Sequence, residues 1–138
     1  MIFQKNKTIE LFDKFLLTIP TKLKHHQDEI SNTKALFITD RFESFVISFE
    51  EGMADMTKQE NDEDEKTTFE YQEGRKYIRL CRSVPKVPND YAFFSIELEC
   101  HGEKIQLNGQ MTAKPGYKWS DNIEPTLITI LQGIRIKS

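Results

Sequence analysis

The feature that most constrains this fold is an alternation of side chains on either side of His101-Gly102. Apolar and polar residues alternate over two runs, at Phe94, Ile96, Leu98, Cys100, Ile105, Leu107 and Met111 for the apolar positions and at Ser95, Glu97, Glu99, Lys104, Gln106, Asn108 and Gln110 for the polar ones. A period of two places each class on one face of a β-strand. The pattern therefore predicts an antiparallel hairpin that turns at His101-Gly102 and lays its apolar face on the core.

Other segments also predict strands. Phe45, Ile47 and Phe49 repeat the same alternation, and Asp40-Arg41 is short enough to join them to a strand at 35–39. Glu73-Gly74 separates 67–72 from 76–82, which predicts a second hairpin because glycine adopts the positive φ of a tight turn. Residues 8–20 are expected to be extended. Residues 22–32 are mostly polar and are expected to form a loop or one weak helical stretch.

One helix is predicted near the C-terminus. Ser120 or Asp121 is expected to cap it, Pro125 suits its first turn, and Gly133 suits its end. Ile123, Leu127, Ile128 and Leu131 follow helical spacing. We therefore expect an α+β fold, with an antiparallel sheet of about six strands packed against the C-terminal helix, and the prediction allows a further short helix near Met53.

This order of elements resembles the Mog1/PsbP/DcrB-like fold. The residues that carry the resemblance are the strand end at Thr18-Ile19-Pro20, the strand pair 35–39 and 44–50, the two later hairpins and the helix end at 130–134. The resemblance implies an antiparallel sheet flanked by helices and a non-enzymatic role in binding or assembly. Members of this fold family bind a small GTPase, serve as photosystem subunits or act as chaperones for secreted effectors. The resemblance assigns a function to no individual residue.

Length and charge narrow the class of protein. A chain of 138 residues suits a single domain over 1–138. The net charge is −3, and no dense basic face is evident, so a nucleic-acid partner is not expected. No apolar run reaches the roughly 20 residues of a membrane span. The N-terminus reads as that of a cytoplasmic protein, and a protein whose leader had been removed would read the same way.

Histidines and cysteines suggest no site. His25 and His26 are adjacent, whereas two ligands that share a face of a strand are two positions apart, so they are interpreted as surface histidines. Cys81 is out of step with the apolar positions of its strand and Cys100 is in step, which predicts free thiols rather than a disulfide. His101 neighbours Cys100 but would point to the opposite face. No metal or other cofactor is predicted.

Carboxylates suggest no catalytic centre either. The acidic run 60–65 lacks the glycine of an EF-hand loop and is interpreted as part of a solvated loop. Glu97 and Glu99 are expected to pair across the hairpin with Lys104 and Gln106 rather than to form an acid–base couple. An enzyme would need at least two of His101, Glu97, Cys100 and Arg79 to converge in a cleft. We therefore expect no enzyme.

The sequence favours a protein-binding, assembly or chaperone-like domain that presents a sheet face or a loop to a protein partner. Candidate contacts lie in two loops, at Tyr117, Lys118 and Trp119 and at Asp62, Glu63 and Asp64. Aromatic side chains interleaved with lysine can bind a partner, and an acidic run can attract a basic one. The alternative is a small-molecule or lipid-binding domain, with a pocket between sheet and helix lined by some of Phe45, Phe49, Phe94, Ile96, Ile105 and Leu127.

Overall fold

The computed structural model describes residues 5–58, 65–83, 91–114 and 124–137. Within these ranges the chain forms ten strands, one 3₁₀ turn and one helix. In chain order the strands are β1 (Asn6–Leu11), β2 (Phe15–Pro20), β3 (Lys24–Ile30), β4 (Thr33–Thr39), β5 (Phe45–Glu50), β6 (Glu65–Glu73), β7 (Lys76–Ser83), β8 (Tyr91–Cys100), β9 (Glu103–Ala113) and β10 (Arg135–Ile136). The 3₁₀ turn spans Met56–Lys58, and helix α1 spans Glu124–Gln132.

The strands form two antiparallel sheets. The larger has seven strands in the order β3-β4-β5-β9-β8-β7-β6, and the smaller has the order β1-β2-β10. The α+β class and the antiparallel sheet are confirmed, whereas the expected number of about six strands is wrong. The number differs because β3 and β10 are strands that their sequences do not mark clearly, and because residues 8–20 divide into β1 and β2. β1, β2 and β10 form the second sheet.

The alternating hairpin is present as predicted. β8 pairs with β9 from Tyr91 opposite Thr112 to Cys100 opposite Glu103. His101 and Gly102 both have positive φ, at 52° and 82°, which is the conformation of a tight type I′ turn. The predicted hairpin β6–β7 and the strand pair β4–β5 are likewise confirmed.

Two segments near the N-terminus differ from expectation. Residues 8–20 are not one extended stretch, because Phe12 and Asp13 take positive φ and fold β1 back onto β2. Residues 24–30 form β3, not a loop or helix, and pair with β4 along their length. β3 lies at an edge of the large sheet, where charged side chains prevent pairing with other chains and no apolar face is required. The polar sequence of β3 therefore gives no pattern that would predict a strand.

The core lies between the large sheet on one side and the small sheet with α1 on the other. Inward residues of the large sheet include Ile47, Phe49 and Phe94, and α1 contributes Leu127, Ile130 and Leu131. The amide of Gly133 donates to the carbonyls of Thr129 and Ile130 and ends α1 where the sequence predicts. β10 then closes the small sheet against β2. The face of the large sheet that points away from this core is called the outer face below.

Candidate partner-binding surface

A short segment covers the middle of the outer face. Residues 53–57, called the strap, follow β5 and include the first two residues of the 3₁₀ turn. Asn108 Nδ2 donates to the carbonyl oxygen of Met53 over 2.8 Å, and Gln106 Nε2 donates to Asp55 Oδ2 over 3.0 Å. Asn108 and Thr57 are buried although they are polar. These hydrogen bonds hold the strap on β9, so this part of the outer face is not open to a partner.

Beside the strap, the outer face holds an open groove of about 440 Å³. Its walls are formed by β3, β4, β5 and the turn between β4 and β5, through Lys24, His25, His26, Phe37, Thr39, Glu43 and Val46. Phe37 and Val46 alternate with the inward residues of their strands, so they point outward and are half-buried. The groove therefore combines an apolar floor with charged and polar walls.

One exposed aromatic residue belongs to the turn that contributes Glu43 to this groove. Phe42, in the turn between β4 and β5, is 74% exposed and is the most prominent large apolar side chain on the described surface. Its turn is well defined, because Ser44 N donates to Asp40 Oδ1 over 2.6 Å and Lys114 Nζ donates to the Phe42 carbonyl over 3.2 Å. The backbone of this turn is therefore fixed, and the ring of Phe42 projects from it into solvent. Aromatic residues of this kind are enriched at the centre of protein interfaces.

Cationic side chains lie near Phe42, whose own turn also contains Asp40 and Glu43. The guanidinium carbon of Arg41 lies 5.8 Å from the centre of the Phe42 ring, within the range of a cation–π contact. Lys114 and Lys24 lie on the same part of the surface, and Glu43 is the acidic residue on the groove wall. Among the residues that the structure describes, Lys24, Arg41 and Lys114 form no ion pair. We call Lys24, Phe37, Arg41, Phe42, Val46 and Lys114 the Phe42 corner.

No protein-family model matches this sequence, and no curated protein matches it either. The folded chain, however, superposes on solved structures over nearly its whole length. The crystal structure of the Ran-binding protein Mog1p from Saccharomyces cerevisiae matches with a TM-score of 0.59, covering 97% of this chain and 96% of that one at 12% identity. A single-residue mutant of Mog1 matches with a TM-score of 0.58 and 96% coverage of both chains, also at 12% identity.

The chain has the Mog1 fold. The resemblance inferred from the order of elements is therefore confirmed at the level of architecture. An identity of 12% shows the fold alone, so the residues of the Phe42 corner are assessed here by their own geometry.

The contacts predicted from the sequence lie outside the described part of this Mog1 fold. Tyr117, Lys118 and Trp119 fall in 115–123, and Asp62, Glu63 and Asp64 fall in 59–64. They stay predictions. The Phe42 corner was missed, although a signal for it exists: a large aromatic residue stands in a turn whose other residues, Asp40, Arg41, Glu43 and Ser44, are all polar. Turns of that length rarely need an aromatic side chain for their own geometry.

The exposure of the histidines and the thiol state of the cysteines agree with the predictions. His25 and His26 are exposed on neighbouring positions of β3, and His26 Nε2 lies 3.9 Å from Asp28 Oδ2. Burial lowers the pKa of His25, and the nearby Lys7 ammonium lowers it further. Cys81 and Cys100 are free thiols, as expected. Across the described ranges, no three histidine, cysteine or acidic side chains are grouped to hold a metal ion.

The acidic residues of the alternating hairpin form cross-strand ion pairs. Lys104 Nζ lies 3.8 Å from Glu97 Oε1, which agrees with the expected pairing, and Arg75 rather than Lys104 lies closest to Glu99, at 3.3 Å. His101 lies in the turn, while Arg79 faces Ser95 across the β7–β8 pair. None of His101, Glu97, Cys100 and Arg79 lines the groove beside the strap.

A second groove, of about 410 Å³, runs between the N-terminal hairpin and α1. It is lined by Asn6, Thr18, Pro20, Lys22, Pro125, Thr126, Thr129, Ile130 and Gly133. The six residues predicted to line a pocket do not contribute to it; Phe49, Phe94, Ile96 and Leu127 are instead completely buried in the core. Within the described ranges, no helix is both long and apolar enough to cross a membrane.

Proposed function

We propose that this chain is a non-catalytic protein-binding domain that docks a protein partner on the Phe42 corner. The observation that carries the proposal is the exposure of Phe42, at 74%, on a turn that the side chains of Asp40 and Lys114 hold in place. Exposed apolar groups that form a patch with a neighbouring groove mark interaction sites. A preformed turn also lowers the entropy lost on binding.

The composition of the corner supports a protein ligand. Aromatic residues and arginine are the side chains most enriched at interface hot spots, and Phe42 and Arg41 are in contact. Phe37 and Val46 extend the apolar surface into the groove, where a partner's side chain would be surrounded on several sides.

The first partner to test is a small GTPase of the Ran type, because the similar Mog1p structure is that of a Ran-binding protein. Isothermal titration calorimetry would measure the affinity of purified Ran, loaded with GDP or with GTP, for this chain. If Ran is the partner, we expect Phe42→Ser to weaken binding by about tenfold or more. Phe42→Tyr, which keeps the ring, should retain most of the affinity.

The control for this experiment is Lys104→Ser, which changes an exposed residue at the start of β9, at the other end of that strand from Lys114. It should bind as the unaltered chain does. Absence of binding to Ran in both nucleotide states would exclude a Ran partner. Binding that is unaffected by Phe42→Ser would exclude the Phe42 corner as the site.

If Ran does not bind, photo-crosslinking tests the site without a named partner. A photoreactive phenylalanine analogue at position 42 should crosslink one host protein reproducibly, and the same analogue at position 104 should not. The crosslink should disappear when excess unlabelled protein is added, and excess Phe42→Ser protein should not remove it. Equal crosslinking from both positions would contradict the proposal.

The two loops predicted from the sequence are proposed as further contacts of the same partner. Trp119→Ala, with Tyr117 and Lys118 left unchanged, removes the largest side chain of one loop. Asp62→Asn, Glu63→Gln and Asp64→Asn together remove the charge of the other. Each variant is expected to weaken partner binding, and the two effects should be separable, because stacking contacts depend little on salt whereas charge contacts are screened by it.

A second candidate function is the binding of a small molecule or lipid in the groove between β2 and α1. The observation in its favour is the volume of about 410 Å³ with Pro20 and Ile130 in its walls, a size suited to a small ligand. Native mass spectrometry of the purified protein would detect a bound molecule. Thr129→Trp, which fills the groove, should then abolish the ligand-bound form. If the protein neither contains a bound molecule after purification nor binds one that is added, this candidate is contradicted.

A further inference from the structure

The charges at the Phe42 corner point to the chemistry of its partner. We infer that the corner recognises an acidic protein segment that also carries an apolar side chain. This inference rests on the proposed function and adds the partner's chemical class to it. Recognition would have two parts: the apolar side chain enters the groove between Phe37 and Val46, and carboxylates of the segment meet the surrounding cations.

The cations at the corner are available to a ligand. Lys24 lines the groove, Arg41 stacks on Phe42, and Lys114 reaches the Phe42 carbonyl. In the described part of the chain none of the three is engaged by a carboxylate within ion-pair distance. Other surface cations differ in this respect, since Lys104, Lys137 and Arg75 each have an acidic partner. Charges left unpaired on one patch favour a ligand of opposite sign.

Two acids near the corner, Asp40 and Glu43, offset part of the charge of its three cations. Asp40 Oδ1 accepts the hydrogen bond from Ser44 N that holds the turn. Glu43 lines the groove together with Lys24. The most acidic part of this chain itself, nine acids and two lysines over 50–70, lies elsewhere in the sequence.

The shape of the site argues for a segment rather than a flat surface. Phe37 lines the groove and Phe42 precedes Glu43, which also lines it, and an extended peptide can place one side chain inside while its neighbours face the rim. The alternation of pocket and rim contacts is what an acidic peptide with a single aromatic or leucine residue supplies. A purely acidic peptide would satisfy the cations and leave the floor of the groove in contact with water.

Three short fluorescent peptides test this inference. One combines Asp and Glu with a single central Leu, the second replaces that Leu by Ser, and the third replaces all acids by Lys. Fluorescence anisotropy on the whole protein should show binding of the first peptide at concentrations up to about 1 mM, weaker binding of the second and none of the third. Raising the salt concentration should weaken binding of the first peptide.

Two matched triple variants locate the interaction. Lys24→Glu, Arg41→Glu and Lys114→Glu together should reduce the affinity for the first peptide by about tenfold or more. Lys14→Glu, Lys104→Glu and Arg135→Glu together change the net charge equally and should leave the affinity within about twofold. The corresponding triple Gln variant at positions 24, 41 and 114 removes the positive charges without adding acids, so it is the milder test if the Glu variant misfolds. Circular dichroism should show that all these variants are folded.

Several outcomes would overturn the inference. Equal binding of the acidic and basic peptides, no detectable binding of the first, or equal effects of the two triple variants would each exclude an acidic segment. A partner whose binding depends on Phe42 but not on the three cations would leave the proposed function in place and refute this inference alone. Self-association that is abolished by the corner triple variant would identify a second copy of this chain, not a separate partner, as the occupant.

Discussion

The ring of Phe94 occupies the space that a side chain at position 109 would need. Gly109 of β9 is paired with Phe94 of β8, and a methyl group placed on Gly109 would lie 2.5 Å from two ring carbons of Phe94. It would also lie 2.4 Å from the carbonyl oxygen of Ser48, in the neighbouring strand β5. Phe94 in turn packs edge-to-face on Phe49, with their centres 5.2 Å apart. The absence of a side chain at 109 therefore lets two aromatic rings fill the centre of the core.

We accordingly expect Gly109→Ala to destabilise the protein by about 1–3 kcal/mol, because a backbone carbonyl cannot move aside as a flexible side chain can. Urea unfolding followed by circular dichroism would measure the change. Gly133→Ala is the matched control, since the added methyl group there would find its nearest atoms at 3.5 and 3.6 Å. Equal losses for both variants would contradict the proposed close approach at Gly109.

The strap is expected to detach when its main side-chain anchor is changed. Asn108→Asp removes the donor to the Met53 carbonyl and places a carboxylate in a buried position on the side of the sheet where Asp55 lies. An unpaired buried group costs about 1–3 kcal/mol, more when it is charged. Cys81, whose Sγ lies 3.7 Å from the Thr57 carbonyl and which is 5% exposed, should then become accessible.

Labelling with iodoacetamide, followed by peptide mapping, would measure this opening. Cys81 should react faster in Asn108→Asp than in the unaltered chain, with Cys100 as the internal reference. Gln110→Glu adds the same charge at an exposed position on the same face of β9 and should leave the rate at Cys81 unchanged. A rate that Asn108→Asp does not alter would show that the strap is held by other contacts.

Lys76 is expected to stabilise the end of α1. Its ammonium nitrogen donates to the Ile134 carbonyl over 2.7 Å and also to the Gln132 carbonyl, across the gap between β7 and the helix. Cations near a helix C-terminus satisfy the last carbonyls and interact favourably with the helix dipole. Partial burial lowers the pKa of Lys76, so part of this gain is offset by desolvation of the charge.

Lys76→Met should therefore cost about 1 kcal/mol of unfolding free energy, measured by urea denaturation. Lys104→Met, which removes an exposed lysine paired with Glu97, should change stability by less than about 0.5 kcal/mol. A loss no greater than that of the control would mean that water replaces the ammonium group at these carbonyls without penalty.

The pKa of His25 makes stability depend on pH. Burial, and then the charge of Lys7, lower this pKa in the folded protein below the usual value of 6.5. As the pH falls through 6.5, the unfolded chain takes up a proton at His25 before the folded one does, so the folded state loses stability. The stability that neutral His25 contributes is present above pH 6.5. It declines as the pH falls towards the lower pKa of the folded state.

Nuclear magnetic resonance titration of the imidazole protons would measure this pKa directly. We expect Lys7→Gln to raise it, because that variant removes the repelling charge and leaves the burial in place. We also expect His25→Gln to be less sensitive than the unaltered chain to acidification from about pH 7.5 to pH 5. His101→Gln serves as the control for the removal of one histidine. A pKa that does not respond to Lys7→Gln would contradict the proposed proximity of the two side chains.

Local pattern alone determined the strongest hairpin and the helix. Phe94, Ile96, Leu98 and Leu107 alternate with polar residues because one face of β8–β9 is buried and the other carries the strap or meets water. Gly102 accepts a positive φ that most other residues resist, and Gly133 follows the last residue of α1, with its amide bonded to the carbonyls of Thr129 and Ile130. These signals lie within a few residues of each other, so they can be recognised without knowledge of the fold.

Only the tertiary structure decided the edge strand, the second sheet and the Phe42 corner. β3 takes its conformation from backbone hydrogen bonds to β4, and its exposed side chains carry no apolar period. Lys24, Arg41 and Lys114 are far apart along the chain and become neighbours because β3, β4, β5 and β9 are adjacent in the sheet. The sequence therefore determined which faces are buried, through a period of two, whereas pairing between distant strands decided which surface residues meet.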